Sequence, residues 1–259
     1  MDLRKARAIA IKDLEEVFSS LSTYGPMIGV PVFFSILLPV LTFYVTQYAA
    51  PNIALKLISA TSNLNVSNAK GYLFMRFFSI NVLGPIFLTM PILTAAVIAA
   101  DSFAGEKERK TSEALLSTPV KRSELLLGKI IASFVPTILL TLLVFMVYGG
   151  VTNYLAYKVF GQNILPTKSW ILMLLTAPLL AIATISVIVL VSSHVRNIKE
   201  AQQISTLLVL PMLIMPFVSI LGFADLSVSF FVYLNLGLLI LDTIILYIGV
   251  KSFKREYML

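Results

Sequence analysis

Six stretches of this chain run for about twenty residues with almost no charge: 26–49, 77–100, 130–150, 169–193, 204–223 and 229–250. A helix needs about that many apolar residues to cross the ~30 Å hydrocarbon core of a bilayer. The pattern therefore predicts six transmembrane helices. A different periodicity precedes the first of them. At ~100° per residue, Leu3, Ala6, Ala10, Leu14, Val17, Phe18 and Leu21 fall within an arc of ~120°. Lys5, Lys12 and Glu16 lie opposite, with Arg7 as the exception. This predicts an amphipathic helix over 2–21, lying in the membrane interface or packed on a soluble partner domain. The expected fold class is an all-α membrane protein with a single membrane-embedded domain over 1–259. It divides into an amphipathic segment 1–25, a six-span bundle 26–250 and a tail 251–259.

Proline punctuates the spans. Pro85 and Pro91 share the second, and Pro211 and Pro216 share the fifth. Each removes a backbone donor, so both helices are expected to bend.

Charge then orients the bundle. Only 13% of the residues are charged, against 58% hydrophobic, and the net charge is +7. Fifteen of the twenty Lys and Arg residues fall in 1–25, 101–129, 194–203 and 251–259, all on one side of the six-span arrangement. The positive-inside rule places that side, with both termini, in the cytoplasm. The basic balance is thereby absorbed by topology and by anionic lipid, with no nucleic acid required. The chain has no Cys and one His, which excludes disulfides and thiol chemistry and argues against a metal site. The first apolar run is span-length and lacks a small-residue cleavage site, so no cleavable signal peptide is expected. Asn65-Val66-Ser67, in the segment between spans one and two, has the form of a glycosylation acceptor.

The densest charge lies between spans two and three. Glu106, Arg109, Lys110 and Glu113 stand at i, i+3, i+4 and i+7, so they share one helical face. Opposite charges at these spacings support such a helix by a few tenths of a kcal/mol per pair, roughly 0.2–0.5. Leu115 and Leu116 give its end an apolar knob, and Thr118-Pro119 stops it. Gly128 allows close packing where span three begins. No phosphate-cradling G-x-x-x-x-G-K-[ST] loop is present, so ATP hydrolysis, if it drives this chain, belongs to another subunit.

This block resembles the ABC-2 permease family, the membrane subunits of ATP-binding-cassette exporters. The matching residues are Gly105-Glu106-Lys107-Glu108-Arg109, Thr111, Glu113, Leu115-Leu116, Thr118-Pro119-Val120 and Leu126-Leu127-Gly128-Lys129, with Lys199-Glu200-Ala201-Gln202 before span five. Lys110 departs from the glycine usual in the family. The resemblance implies a coupling helix over Glu106 to Leu116 that docks in a separate ATPase subunit. Glu106, Arg109, Lys110, Thr111, Glu113, Leu115, Leu116 and Pro119 would make that contact, and Glu200 a second, smaller one. It also implies a second permease chain, identical or different, and surrounding lipid. This chain would bind no cofactor and catalyse nothing, with ATP and Mg held by the ATPase. The substrate is left open.

Polar residues inside the spans are the remaining candidates. Asp242 lies about two turns from the end of span six, with Asn235 seven residues earlier on the same face. A carboxyl at such a depth costs ~2.5–3.5 kcal/mol on insertion scales and points to function. Asp242, Asn235 and Asn81 are thus candidates for a substrate path. Two other functions compete: a stand-alone secondary transporter or channel using Asp242, and a membrane assembly factor that transports nothing.

Overall fold

The computed structural model describes residues 3–19, 21–49, 70–109, 121–192, 195, 197–222 and 226–252. Among the described residues every regular element is helical. Six helices are long and apolar enough to cross a membrane: Met27–Gln47, Gly71–Glu108, Ser123–Phe160, Lys168–Val191, Ile198–Ile220 and Val228–Ile248, here spans 1 to 6. The N-terminal helix α1 (Leu3–Ser19) precedes them. Of the sequence features, Asn65 lies outside the described residues.

Span 2 is the centre of the bundle. Its apolar window is 78% buried, against 22% for span 1 and 17% for span 6. Spans 3, 4 and 5 all pack on it, while span 1 leans on span 3 and span 6 on span 4. Two packing chemistries hold span 2. Toward one end, large side chains interlock: the rings of Phe87 and Tyr148 are 4.6 Å apart, and Trp170 lies 4.7 Å from Phe145 and 5.0 Å from Tyr148. The Tyr148 hydroxyl donates to the Ser79 carbonyl at 2.9 Å, so its polar tip is satisfied inside this core. Gly84 makes room here, since a Cβ would stand 2.6 Å from Met173 Sδ. Toward the other end, the seam is built from Ala95, Ala96, Ala99, Ala100 and Ala104 on span 2 with Ala181 on span 4. Small residues let helices approach closely, which drives association where lipid already satisfies apolar surface.

Near their prolines, spans 2 and 5 are interrupted. Pro211 has no N–H to offer the Leu207 carbonyl, which accepts from Leu210 N instead at 3.2 Å. Span 5 accordingly breaks into Ile198–Thr206 and Val209–Ile220. In span 2 a π-helical turn, Phe78–Leu83, precedes Pro85, and the helix is interrupted at Leu88 before Pro91. A second π turn, Asp101–Gly105, carries the helix on to Glu108.

Spans 2 and 3 are each 38 residues long, about 57 Å at a rise of ~1.5 Å per residue. That is nearly twice the ~30 Å hydrocarbon thickness. The apolar runs at 77–100 and 130–150 mark only their middles. Their extensions at one end, 101–108 and 123–129, stand beside α1, and this end is called the charged end below.

Candidate functional site at the charged end

Asp13 occupies the inner side of α1, beside Ala6 and Ala10, and all three are buried. It sits at the edge of the apolar arc. α1 packs chiefly on span 3. The close approach depends on Gly128: a Cβ there would stand 2.7 Å from the Ala6 carbonyl oxygen and 2.9 Å from Ile9 Cβ.

One residue beyond Gly128 is Lys129, whose side chain is fully buried. A buried ammonium needs partners, because desolvation costs several kcal/mol per ion, roughly. Lys129 has them on two other segments. Nζ lies 2.8 Å from Glu106 Oε2 and 3.7 Å from Asp13 Oδ2. It donates to the Ser102 carbonyl and, at 3.4 Å, to Ser102 Oγ. Ser102 Oγ in turn donates to Asp13 Oδ2 at 2.5 Å. The Phe103 ring, 5.4 Å from Nζ, covers the ammonium.

A second ring of charge surrounds this centre and is more exposed. Lys12 Nζ stands 3.5 Å from Glu106, 3.6 Å from Asp13 and 3.8 Å from Glu16. Burial pulls the Lys12 pKa down, but Asp13, Glu106 and Glu16 outweigh it and hold it above the ordinary lysine value. Arg109 pairs with Glu16 of α1 and, at 2.7 Å, with Asp101 one helical extension below it.

The predicted partner-contact residues divide accordingly. Glu106 turns onto α1 and span 3, and Arg109 onto α1 and Asp101 of its own span. Lys110, Thr111, Glu113, Leu115, Leu116 and Pro119 lie outside the described residues. Glu200 sits in the first turn of span 5, half-buried, where Asn197 Oδ1 caps its N–H at 2.9 Å. A further link joins the two connections: Glu108 Oε2 accepts from Ile198 N at 2.9 Å. The root of the 101–121 connection and the start of span 5 therefore form one surface.

The intramembrane candidates are not brought into this cluster. Asn81 donates through Nδ2 to the Phe77 carbonyl at 3.1 Å, which serves the π turn of its own helix. Asn235 donates to the Leu172 carbonyl on span 4 at 3.4 Å, and its Oδ1 accepts nothing among the described residues. Asp242, 5% exposed, has no hydrogen-bond partner at either oxygen among them. Asn235 and Asp242 thus share the face of span 6 that packs on span 4. Among the described residues no group of His, Cys, Asp or Glu is arranged to hold a metal ion.

Sequence reasoning quotes Lys129 only within a motif and gives no role to it, Asp13, Ser102 or Asp101. Two of them carry a signal in hindsight. Lys129 is a charge at the threshold of an apolar run, and Asp13 is the acid nearest the apolar arc of α1.

Six apolar helices, two of them prolonged into a charged junction, define a multi-pass membrane protein. The chain belongs to the ABC-2 transporter family: the model of the "ABC-2 family transporter protein" matches residues 7–248. A stretch of 51 residues is 49% identical to the ABC transporter permease protein NatB of Bacillus subtilis (strain 168). That stretch covers 20% of this chain and 13% of the relative. Members of the family are membrane subunits of ABC transporters.

Proposed function

We propose that this chain is the permease subunit of an ATP-driven exporter in the cell membrane, with both termini and the charged end in the cytoplasm. Two permease chains form the pathway, and each rests on a separate ATPase subunit that holds ATP and Mg. The ATPase bears on the connection between spans 2 and 3, through Lys110, Thr111, Glu113, Leu115, Leu116 and Pro119, and on Glu200. Glu106 and Arg109 serve that contact from behind, by fixing its root.

The observation that supports this reading best is the hydrogen bond from Ile198 N to Glu108. It joins the two connections, so a single partner surface can press on both and move spans 2, 3 and 5 together as rigid helices. The charge distribution supports the orientation, since the basic residues gather at that end.

Co-purification with the ATPase and ATP hydrolysis by the complex test it. Glu113→Lys or Leu116→Asp should release the ATPase or uncouple hydrolysis from transport, because truncating one side of a buried interfacial charge pair costs ~2–5 kcal/mol. Membrane insertion should be unchanged. Wild-type behaviour of both variants in both assays rejects the loop as the contact.

A second reading has one observation in its favour. Asp242 is buried on the span 4 face with no hydrogen-bond partner among the described residues, as a proton or ion site would be in a transporter working alone. Transport driven by a proton gradient without ATP, and lost in Asp242→Asn at normal expression, would favour it. Under the leading reading Asp242 and Asn235 line the substrate path.

A further inference from the structure

Arg7 stands inside the apolar arc of α1, where a charge has no obvious place. Helical spacing puts Arg4, Arg7, Ile11, Leu14 and Phe18 within ~80° of one another, with no acid among them. Two acids of α1 are engaged on other faces, Asp13 beside Lys129 and Glu16 with Arg109. Arg7 is exposed and makes no ion pair or hydrogen bond among the described residues.

The same face of α1 borders a pocket. Leu14 and Phe18 of α1, Met27 and Ile28 of span 1, and Pro136 and Leu139 of span 3 enclose a space of about 390 Å³. That lies within the usual range of a small-molecule site, ~300–1,000 Å³. Every residue that lines it is apolar. It borders the outward side of span 3, where Leu139 and Leu143 are exposed within the apolar run 130–150. The pocket therefore faces hydrocarbon, and a lipid is the molecule already present there.

Arginine and pocket stand at different depths. Ala6 and Ile9 lie against Gly128, at the threshold of the apolar run of span 3. Leu14 and Phe18 meet Pro136 and Leu139 across the pocket. The two helices thus run in the same direction, from the charged end toward the hydrocarbon. Arg7 comes seven residues before Leu14, about 10 Å nearer the charged end at ~1.5 Å per residue. The headgroup layer of a bilayer is ~5–8 Å deep on each side of the hydrocarbon. One molecule can therefore reach both, with a phosphate at the guanidinium and a chain between the spans. A guanidinium matches a phosphate with two parallel hydrogen bonds.

We propose that this wedge is a phospholipid site: one acyl chain lies in the pocket, the phosphate rests on Arg7, and an anionic headgroup is preferred. Arg4, on the same face, adds to that preference. The lipid fills the gap between α1, span 1 and span 3, and it binds this chain with or without an ATPase.

The full chain, purified in detergent, is titrated with dioleoylphosphatidylglycerol or dioleoylphosphatidylcholine, and bound lipid is counted by native mass spectrometry. The wild type should hold one phosphatidylglycerol about tenfold more tightly than phosphatidylcholine. Arg7→Gln should abolish that preference and leave the melting midpoint of the lipid-free chain unchanged. Lys5→Gln, which removes the same charge from a different face of α1, should keep it. Ile28→Phe, which narrows the pocket, should weaken both lipids. Glycerophosphoglycerol, the headgroup without chains, should not displace the bound lipid.

Equal affinity for the two lipids in the wild type overturns the proposal, as does a preference that survives Arg7→Gln. A loss in Lys5→Gln as large as in Arg7→Gln would reduce the binding to general attraction for a basic surface, and overturns it too. Wild-type binding by a folded Ile28→Phe, or displacement by the chain-free headgroup, would place the chain outside the pocket with the same result. Should Ile28→Phe fail to fold, Arg7→Gln and the chain-free competitor still decide.

Discussion

Lys129 carries its charge with no water around it, so its neighbours set what a substitution costs. Lys129→Met leaves Glu106 and Asp13 to share the half-exposed Lys12, and a loss of up to ~3–5 kcal/mol is expected. Adding Glu106→Gln and Asp13→Asn removes the stranded charges, so the triple variant should melt above the single one. Thermal unfolding in detergent measures both; a single variant at the wild-type midpoint would mean the ammonium is not buried as described. Asp242 presents the opposite case. Its carboxyl is buried with no hydrogen-bond partner among the described residues, and an uncompensated polar group costs ~1–3 kcal/mol on mutational scales. Asp242→Leu should therefore raise the melting midpoint of the isolated chain, and a fall would reveal a partner for the carboxyl. Helical spacing in the sequence puts Glu106 and Arg109 on one face correctly. It does not say where that face looks. The answer depends on Lys129, 23 residues on in the chain, and on Asp13, 93 residues before Glu106, and no local pattern links them.

At the scale of elements, each span was legible as an apolar run, but the ends were not. Hydropathy reports where a helix touches hydrocarbon and is silent once the helix leaves it. Hence residues 71–76, 101–108, 123–129 and 151–160 extend spans 2 and 3 beyond the uncharged runs, where charged residues such as Arg76, Asp101, Glu124 and Lys158 interrupt the apolar pattern. Span 5 begins at Ile198 instead of near 204 for the same reason: Lys199, Glu200, Gln202 and Gln203 mask its first turns. The break in span 5 was legible, because Pro211 must orphan a carbonyl four residues before it. Gly128 was legible too, as a site of close packing, although its neighbour was not. Gly128→Val should push α1 off span 3, since a Cβ meets the Ala6 backbone at 2.7 Å. Overpacking of this kind costs ~1–3 kcal/mol, and faster amide exchange over 3–19 is the expected readout. Exchange unchanged from wild type would show that α1 is not seated there.

At the scale of the whole molecule, orientation rests on the uneven sharing of Lys and Arg. Single cysteines at Ser62 and Thr167 should react with an impermeant thiol reagent in intact cells, and those at Ser112 and Ser252 should not. Labelling of the latter pair from outside would invert the arrangement. The candidate substrate path is the part that least could be read from sequence. Six helices can be counted along a chain, but which of their faces enclose a passage depends on how they pack, and the Asp242 face is set chiefly by packing on span 4. The length of span 3 has one more consequence. Arg122–Phe160 is one unbroken helix, about 58 Å long at ~1.5 Å per residue. Half of it reaches about 29 Å from the middle of the rod. A rod of that reach, rotating by about 10° around its midpoint, close to Pro136, sweeps each tip about 5 Å, the rise of one helical turn. The rise of a single helical turn is the step by which packed helices change partners. A small rotation centred in the membrane is then enough to exchange one set of contacts for the next at both surfaces at once.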